Sequence, residues 1–245
     1  MIYAISGLLI GAVMGLTGAG GALVAIPLFM QFLNMALKDA TVFSLVAVVI
    51  ASLLNFIAQR KNTNYKIAFQ ISFFSFWGSL VSTQLKPLTP EIFLKLLLVL
   101  VALYGTYSIW KTQNNNQVKK HSLSHSWKLS SIVGFFLGAL TTFTGLGGGV
   151  LMMPVFLNFY SFSQEQAIAT SLFAISLSSL VSLFIQVQNG FRIPIDLSLV
   201  YLLSGILLSA FVLKFLMNKL PKNKMDLVRK IVFTSIVLLA ILKIF

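Results

Sequence analysis

Two short stretches of the sequence combine a threonine, clustered glycines and a proline. They read T-G-A-G-G-A-L-V-A-I-P from Thr17 to Pro27 and T-G-L-G-G-G-V-L-M-M-P from Thr144 to Pro154. Glycine has no Cβ, so such clusters free the backbone from helical geometry and leave its amide groups exposed at close range. A helix that resumes after the glycines directs free N–H groups and the positive end of its dipole toward them. This chemistry favours an anion, bound without any charged side chain.

The candidate anion-binding residues are the threonines and glycines of these stretches, together with polar residues of the helices that follow them. The binding set is Thr17, Gly18, Gly20, Gly21, Ser44, Thr144, Gly145, Gly147, Gly148, Gly149, Thr170 and Ser171, and the structural residues are Pro27 and Pro154. We expect the two resumed helices to converge on one site at the middle of the molecule. We assign no catalytic residue, no metal ligand and no cofactor.

Some glycines fit a different interpretation, which is close packing of helices. Gly7, Gly11 and Gly15, and likewise Gly134 and Gly138, have the four-residue spacing typical of packing motifs, and packing is the role we predict for them. Packing does not need adjacent glycines, so the doubled clusters favour a cavity instead. A dinucleotide-binding fingerprint is excluded because its third glycine is absent from both clusters.

The composition indicates what kind of protein holds these stretches. The chain has 245 residues, of which 58% are hydrophobic and 9% charged, and its mean hydropathy is +0.93. A soluble domain carries about 25% charged residues, so an ordinary water-soluble fold is excluded. At ~20 residues per crossing, the length allows roughly six to eight membrane segments in one all-α domain.

The net charge of +13 does not indicate a nucleic-acid partner. The basic residues are spread through short connectors between apolar runs, which is how membrane proteins fix their orientation. The absence of cysteine excludes disulfides and thiol chemistry. An intramembrane enzyme is disfavoured because neither a membrane-embedded histidine nor a pair of buried carboxylates is evident.

Runs without a charged residue define eight apolar segments. They are 1–37, 40–59, 67–85, 96–110, 129–164, 166–191, 197–213 and 231–242. The first and fifth are too long for one crossing, because a helix of 37 residues would extend ~55 Å through a hydrocarbon core about 30 Å thick. Each of these two segments must therefore be broken or folded back.

The second half of the sequence repeats the first. An offset of 127 residues aligns Gly11 with Gly138 and continues without a gap to Gly78 and Gly205. The matched positions include glycine, proline, threonine and glutamine, which chance agreement between two apolar sequences would not bring into register. Internal duplication of this kind is characteristic of secondary transporters.

The basic residues distinguish two topologies. If all eight segments cross, the 18 lysines and arginines divide nine to nine between the two sides. If the first and fifth segments return as hairpins, they divide thirteen to five, which is the bias expected of cytoplasmic loops. We therefore predict an all-α polytopic membrane protein of two inverted repeats, each with one broken or re-entrant helical hairpin and three transmembrane helices.

The predicted division of the chain follows from this topology. Repeat 1 spans 1–111, repeat 2 spans 128–245, and a polar cytoplasmic linker at 112–127 joins them. The re-entrant segments are expected at 2–33 and 129–160, and the helices at 40–59, 67–85, 92–110, 166–188, 196–217 and 227–245.

Polar residues repeated within the crossings leave two interpretations open. The duplication makes equivalent pairs of Ser52 with Ser179 and of Gln59 with Gln186. One interpretation is that they contact a substrate, and the other is that they form hydrogen bonds between helices. Ser44 and Ser171 lie in the best-matched stretch, which favours the substrate role for that pair.

The glycine-proline stretches are each followed by an Ala-x-x-x-Ser-Leu pattern, at 40–45 and 167–172, and together they resemble the TauE/SafE family of membrane exporters. The resemblance extends over nearly the whole chain. It implies a multi-pass protein of the bacterial cytoplasmic membrane that transports small sulfur-containing anions such as sulfite or organosulfonates. An anion channel and a transporter of small carboxylates remain as alternatives, and the oligomeric state and any coupling ion are left open.

Overall fold

The computed structural model describes residues 2–17, 21–32, 34–113, 127–145, 149–160, 162–190 and 197–219, with short stretches between 227 and 238. The described residues are helical and contain no strand, which confirms the all-α prediction. The helices are α1 (Ile2–Thr17), α2 (Gly21–Phe32), α3 (Leu37–Gln59), α4 (Tyr65–Leu85), α5 (Glu91–Gln113), α6 (Trp127–Thr144), α7 (Gly149–Asn158), α8 (Gln164–Gln188) and α9 (Leu197–Lys219). Short 3₁₀ turns, Arg60–Asn62 and Lys86–Leu88, follow α3 and α4.

Both long apolar segments contain two helices. In the second half α6 ends at Gly145, whose φ of +67° is the left-handed conformation that favours glycine. Helix α3 begins at Leu37, somewhat before the predicted residue 40, because its first turn accommodates Lys38 and Asp39. Most of the predicted linker, residues 114–126, lies outside the described residues, as does most of the last predicted helix.

The first helix runs in the same direction as α3. Asn55 Nδ2 donates to Gly11 O (3.2 Å), and one turn further along both helices Gln59 Nε2 donates to Gly15 O (3.2 Å). Since α1 and α3 are parallel, the chain has to return between them, and α2 is the element that makes this return.

The central helices α3 and α8, which are equivalent in the duplication, run in opposite directions. Asn62, just after the end of α3, donates from Nδ2 to Oε2 of Glu165 in the first turn of α8 (3.3 Å). Further back along α3, Phe56 stacks on Phe173, with ring centroids 4.7 Å apart. Residue numbers therefore fall along one helix as they rise along the other.

Glycines hold α4 against α6 at close range. A Cβ on Gly134 would lie 2.5 Å from the carbonyl oxygen of Ile71, and one on Gly138 would overlap the backbone of Ser75. The predicted packing role of these glycines is confirmed. The register also shows that α4 and α6 are parallel.

The same arrangement joins α1 to α9. A Cβ on Gly7 would overlap the backbone of Leu202, and one on Gly11 would overlap the side chain of Ser209. These glycines also pack as predicted. The first helix of each half therefore packs against a helix of the other half: α1 packs on α9, and α6 packs on α4.

Helix α8 is parallel to α4 and hence also to α6. Ser72 Oγ donates to Ala174 O (3.3 Å), and two turns later Ser79 Oγ lies 2.8 Å from Ser182 Oγ. The first and third helices of the second half are thus parallel, as they are in the first half. Helix α7 is the element that returns between them.

The outer helices carry large apolar side chains on their exposed faces. On α4 and α9 they include Phe69, Phe73, Trp77, Val200 and Phe211, the last 78% exposed. By length and apolar character, two helices within the described residues are long enough to cross a membrane: Leu37–Asn62, counting the 3₁₀ turn, and Gln164–Gln188. They correspond to α3 and α8, whose side chains are mostly buried at the centre of the bundle.

Candidate functional site

The second glycine stretch begins against the first turns of α3. Ser44 Oγ lies within hydrogen-bonding distance of Gly145 O (2.9 Å) and of Thr41 O (2.7 Å), and its single proton is shared between these two acceptors. Gly145 N–H donates to Thr141 O (2.8 Å), which completes the last turn of α6. Gly145 therefore presents its carbonyl oxygen to α3, while its amide proton is already used.

The first glycine stretch begins near the other end of α3. Gly15 O, at the end of α1, accepts from Gln59 Nε2 (3.2 Å). Gly18 and Gly20, with Gly147 and Gly148 of the second stretch, lie outside the described residues, so their predicted binding role stays a prediction.

The first residues of the resumed helices are described. They are Gly21 in α2 and Gly149 in α7, and Pro27 and Pro154 lie inside these helices. The first N–H groups of a helix have no acceptor within that helix, so the starts of α2 and α7 are where we predict contact with an anion.

The helix ends that lead into the two stretches lie at different depths along α3. Gly145, just after α6, contacts α3 at Ser44, and Gly15, near the end of α1, contacts it at Gln59. These two positions of α3 are 15 residues apart and so separated by roughly 22 Å of helix rise. The reason is that α1 is parallel to α3 and reaches its far end, whereas α6 is parallel to α8 and so ends at the opposite end of α3. One stretch therefore begins toward each end of the central helix pair, and the convergence of the resumed helices on one site stays a prediction.

The predicted threonines use their hydroxyl protons within their own helices. Thr17 Oγ1 donates to Val13 O (2.8 Å) and Thr144 Oγ1 donates to Leu140 O (2.6 Å). These hydroxyl groups therefore present oxygen lone pairs, and not protons, to their surroundings. Their predicted contact with an anion as donors would require the hydroxyl groups to rotate.

The predicted residues of α8 are buried. Thr170 Oγ1 accepts from the backbone N–H of Asn64 (3.0 Å), so it ties the start of α4 to α8. Ser171 donates to Ile168 O (2.9 Å) and is fully buried. A substrate role for these two residues stays a prediction.

A lysine that we had assigned to a connector is buried beside the second glycine stretch. Lys86 lies in the 3₁₀ turn after α4, outside the apolar helices, and is only 6% exposed. Its Nζ donates to Thr41 Oγ1 (2.7 Å) and to Gln186 Oε1 (3.4 Å). We call Thr41, Lys86 and Gln186 the lysine cluster. The site predicted from the sequence contains no charged side chain, and Lys86 adds one at this end.

Burial lowers the pKa of Lys86 to about 7. The carboxylate of Asp39 opposes this shift, and the positive charge of Lys38 adds to it. Removing an ammonium group from water disfavours its charged form. Near neutral pH the side chain therefore exists in both the charged and the neutral form.

Buried polar atoms without a partner mark α3 and α8. Among the described residues they include Asn55 Oδ1, Ser179 Oγ and Gln186 Nε2. An unpaired polar atom in an apolar interior costs roughly 1–3 kcal/mol, so a ligand or water that pairs with it is favoured. By contrast, Ser52 donates to Val49 O (3.1 Å), so only one member of the Ser52–Ser179 pair is left unpaired.

The repeated glutamines have different roles in the two halves. Gln59 bonds between helices, to Gly15, and Gln186 accepts from Lys86 while its amide N–H groups are unpaired. Sequence analysis missed Lys86, Thr41 and Asn55. One of them had a visible signal, since Asn55 is an amide inside a long apolar run.

Three features are together typical of a helical membrane transport protein: an interrupted opening helix in each half, buried polar atoms along the central helices α3 and α8, and exposed aromatic side chains on the outer helices. The comparisons with known proteins agree with this class. The family described as sulfite exporter TauE/SafE matches residues 3–243, and the chain belongs to that family. It is a membrane transporter.

A relative in Bacillus subtilis (strain 168) is described as a probable membrane transporter protein, YunE. It is 24% identical over an alignment of 205 residues, and the match covers 74% of this chain and 75% of the relative. No solved structure matches the chain.

Proposed function

We propose that this protein is a secondary transporter that exports small sulfur-containing anions, such as sulfite or organosulfonates, across the bacterial cytoplasmic membrane. The observation that carries the proposal is that the two glycine stretches begin toward opposite ends of the antiparallel helices α3 and α8. Each stretch is followed by a helix that starts at a glycine, Gly21 or Gly149, and offers free N–H groups to an anion.

The proposed membrane arrangement is two inverted repeats. Equivalent helices α3 and α8 are antiparallel, and in each half the first and third helices are parallel with a returning helix between them. Six full crossings and two hairpins satisfy these directions, whereas a first segment that crosses once would make α1 and α3 antiparallel. The loop charges favour the same arrangement, because it gives the lysines and arginines a thirteen-to-five bias.

The separation of the glycine stretches fits alternating access. A stretch toward each side of the membrane gives the anion one site near the entrance and one near the exit. The unpaired Ser179 Oγ lies on α8 between these regions and provides an intermediate polar contact. Export also fits the driving force, since a membrane potential that is negative inside favours outward movement of an anion by ~2.3 kcal/mol per charge per 100 mV.

The test of the function is transport by the purified protein in liposomes. We expect saturable sulfite flux that is accelerated by sulfite or a sulfonate on the opposite side. Flux without saturation or counter-transport would identify a channel. Competition by small carboxylates alone would overturn the sulfur assignment.

The test of the topology uses single cysteines, because the native chain has none. Lys38 lies at the end of α3 that carries Lys86, and Glu165 lies at the opposite end, beside Asn62. Cysteines at positions 38 and 165 should react with an impermeant thiol reagent from opposite sides of the membrane. Labelling of both from one side would contradict the inverted repeats.

A further inference from the structure

The lysine cluster holds a buried cation without a carboxylate partner among the described residues. Among the described residues an ion pair is found between Lys95 and Glu91 (3.6 Å), which lie on α5 and outside the lysine cluster. Asp39 is close enough to influence Lys86 electrostatically but forms no ion pair with it. A buried ammonium group without a counterion is costly, so an anion is the ligand that this position favours.

Two of the three Lys86 N–H groups point to neutral acceptors, Thr41 Oγ1 and Gln186 Oε1. The third N–H group has no acceptor among the described residues and is left for a ligand. Thr41 Oγ1 itself donates to Lys38 O (2.7 Å), so its role is to hold the ammonium group in place.

Gln186 supplies a second, independent sign of a ligand. Its side chain is 6% exposed, and because Oε1 accepts from Lys86, the unpaired atom is the donor Nε2. An unpaired amide donor next to an unpaired ammonium donor matches an oxyanion, which offers several acceptor oxygens to both groups.

The cluster adjoins the second glycine stretch. A Cβ on Gly145 would overlap the carbonyl oxygen of Thr41, and Ser44 bonds to both residues. The cluster also lies just below the protein surface, because the following residue, Pro87, is exposed. An anion that leaves the glycine stretch at this end would therefore pass Lys86.

We propose that Lys86 and Gln186 form an oxyanion-binding site beside the second glycine stretch, with Thr41 as a positioning residue. The ligand class is a small tetrahedral or pyramidal oxyanion, such as a sulfonate, sulfate or sulfite. That the site lies on the transport path rests on the proposed function, whereas binding at the site does not.

Binding is measured by calorimetric titration of the purified full chain at pH 6.5 with methanesulfonate and, separately, sulfate. Lys86→Met keeps the length of the side chain and should weaken methanesulfonate binding at least about tenfold, since a charge-assisted bond is lost. Gln186→Leu should weaken it by about threefold or more. The matched control is Lys95→Met, which removes an equal charge from the partly exposed α5 pair and should leave affinity unchanged.

The outcomes separate the site from the transport function. Wild-type affinity in folded Lys86→Met overturns the site, and so does a wild-type protein that binds neither probe. If Lys86→Met does not yield folded protein, Gln186→Leu decides, and unchanged affinity there overturns the site. Loss of binding in the variants, together with a wild type that carries no sulfonate in liposomes, supports the site and contradicts the proposed function.

Discussion

The two ends of the central helix pair share a backbone plan but differ in chemistry. At the end where Ser44 meets Gly145, the surrounding side chains are Thr41, Lys86 and Gln186. The duplication places Ile168 and Gln59 at the positions equivalent to Thr41 and Gln186. One end thus holds a buried cation beside an amide with an unpaired N–H donor. At the other end Ile168 replaces Thr41, and the equivalent amide of Gln59 bonds to Gly15.

This difference shows how the two ends of a duplicated fold can come to interact differently with an anion. Antiparallel repeats make the two ends alike in shape, so the backbone alone gives an anion no preference between the two sides of a membrane. The lysine cluster at one end, where the other end has Ile168 in place of Thr41, removes that equivalence. The four predictions that follow test the contrast between the ends, in order of decreasing expected effect.

Gly145→Ala should disrupt the lysine end most strongly. The residue has φ +67°, and an added Cβ would lie 2.7 Å from Ser44 Oγ and overlap the backbone of Thr41. We expect the free energy of unfolding to fall by about 2–5 kcal/mol, from backbone strain and overpacking combined. Thermal unfolding and liposome flux measure the effect.

The control for this variant is Gly190→Ala. Gly190 has φ +92° but no atom within 4 Å of the added Cβ, so only the strain of about 1–2 kcal/mol applies. Equal losses in the two variants would show that the contact with α3 contributes nothing.

The pH dependence of anion binding should come from the lysine end. Because burial lowers the pKa of Lys86 to about 7, its ammonium form is lost as pH rises through that value. Affinity for methanesulfonate, which does not titrate in this range, should fall by up to about tenfold per pH unit above 7. Without anion, thermal stability should rise between pH 7 and 10.5, because the unfolded chain then binds the extra proton.

Lys86→Arg separates this titration from other groups, since arginine stays charged throughout the range. The pH slope should disappear in that variant and persist in Lys95→Met. A slope that survives Lys86→Arg would assign the titration to a group other than Lys86.

Thr41→Val should have a smaller effect on the same end. Valine keeps the shape of threonine but removes the oxygen that accepts from Lys86 Nζ at 2.7 Å. We expect methanesulfonate affinity to fall about threefold, because the ammonium group is less well positioned. Ile168→Val is the matched change at the other end, and it should cost ~1 kcal/mol of stability without altering affinity.

Glu91→Gln should have the smallest effect. The carboxylate pairs with Lys95 at 3.6 Å, but its side chain is 53% exposed. Such pairs contribute about 0.3–0.5 kcal/mol, so melting temperature and anion affinity should both stay close to the wild-type values. A large loss of affinity would mean that anion binding depends on the overall charge at this end of the molecule and not specifically on the lysine cluster.

The helices could be predicted largely from the sequence because apolar runs, their length and the duplication depend on local composition. The run at 40–59, for example, lies within α3, and the packing role of Gly134 and Gly138 followed from their spacing alone. What the sequence could not show was which helices pair across the halves. That pairing depends on contacts between residues far apart in the chain.

The site was less predictable for the same reason. Thr41, Lys86 and Gln186 are widely separated in sequence, and a lysine next to a proline at the end of an apolar run is ordinarily a solvated residue. Lys86 is buried because α3 and α8 both contact the turn after α4. The depth of the glycine stretches also depends on helix direction, which the alignment of the two halves does not contain.

The exchange of opening helices between the halves bears on how the protein is made. Gly7 in α1 packs on Leu202 in α9, so α1 finds this partner only after the chain between them has been synthesised. Until then the contact face of α1 is open to lipid, to other proteins or to incorrect partners. The first half can therefore insert into the membrane before its final packing is complete. Neither half, translated alone, would contain the helix against which its first helix packs.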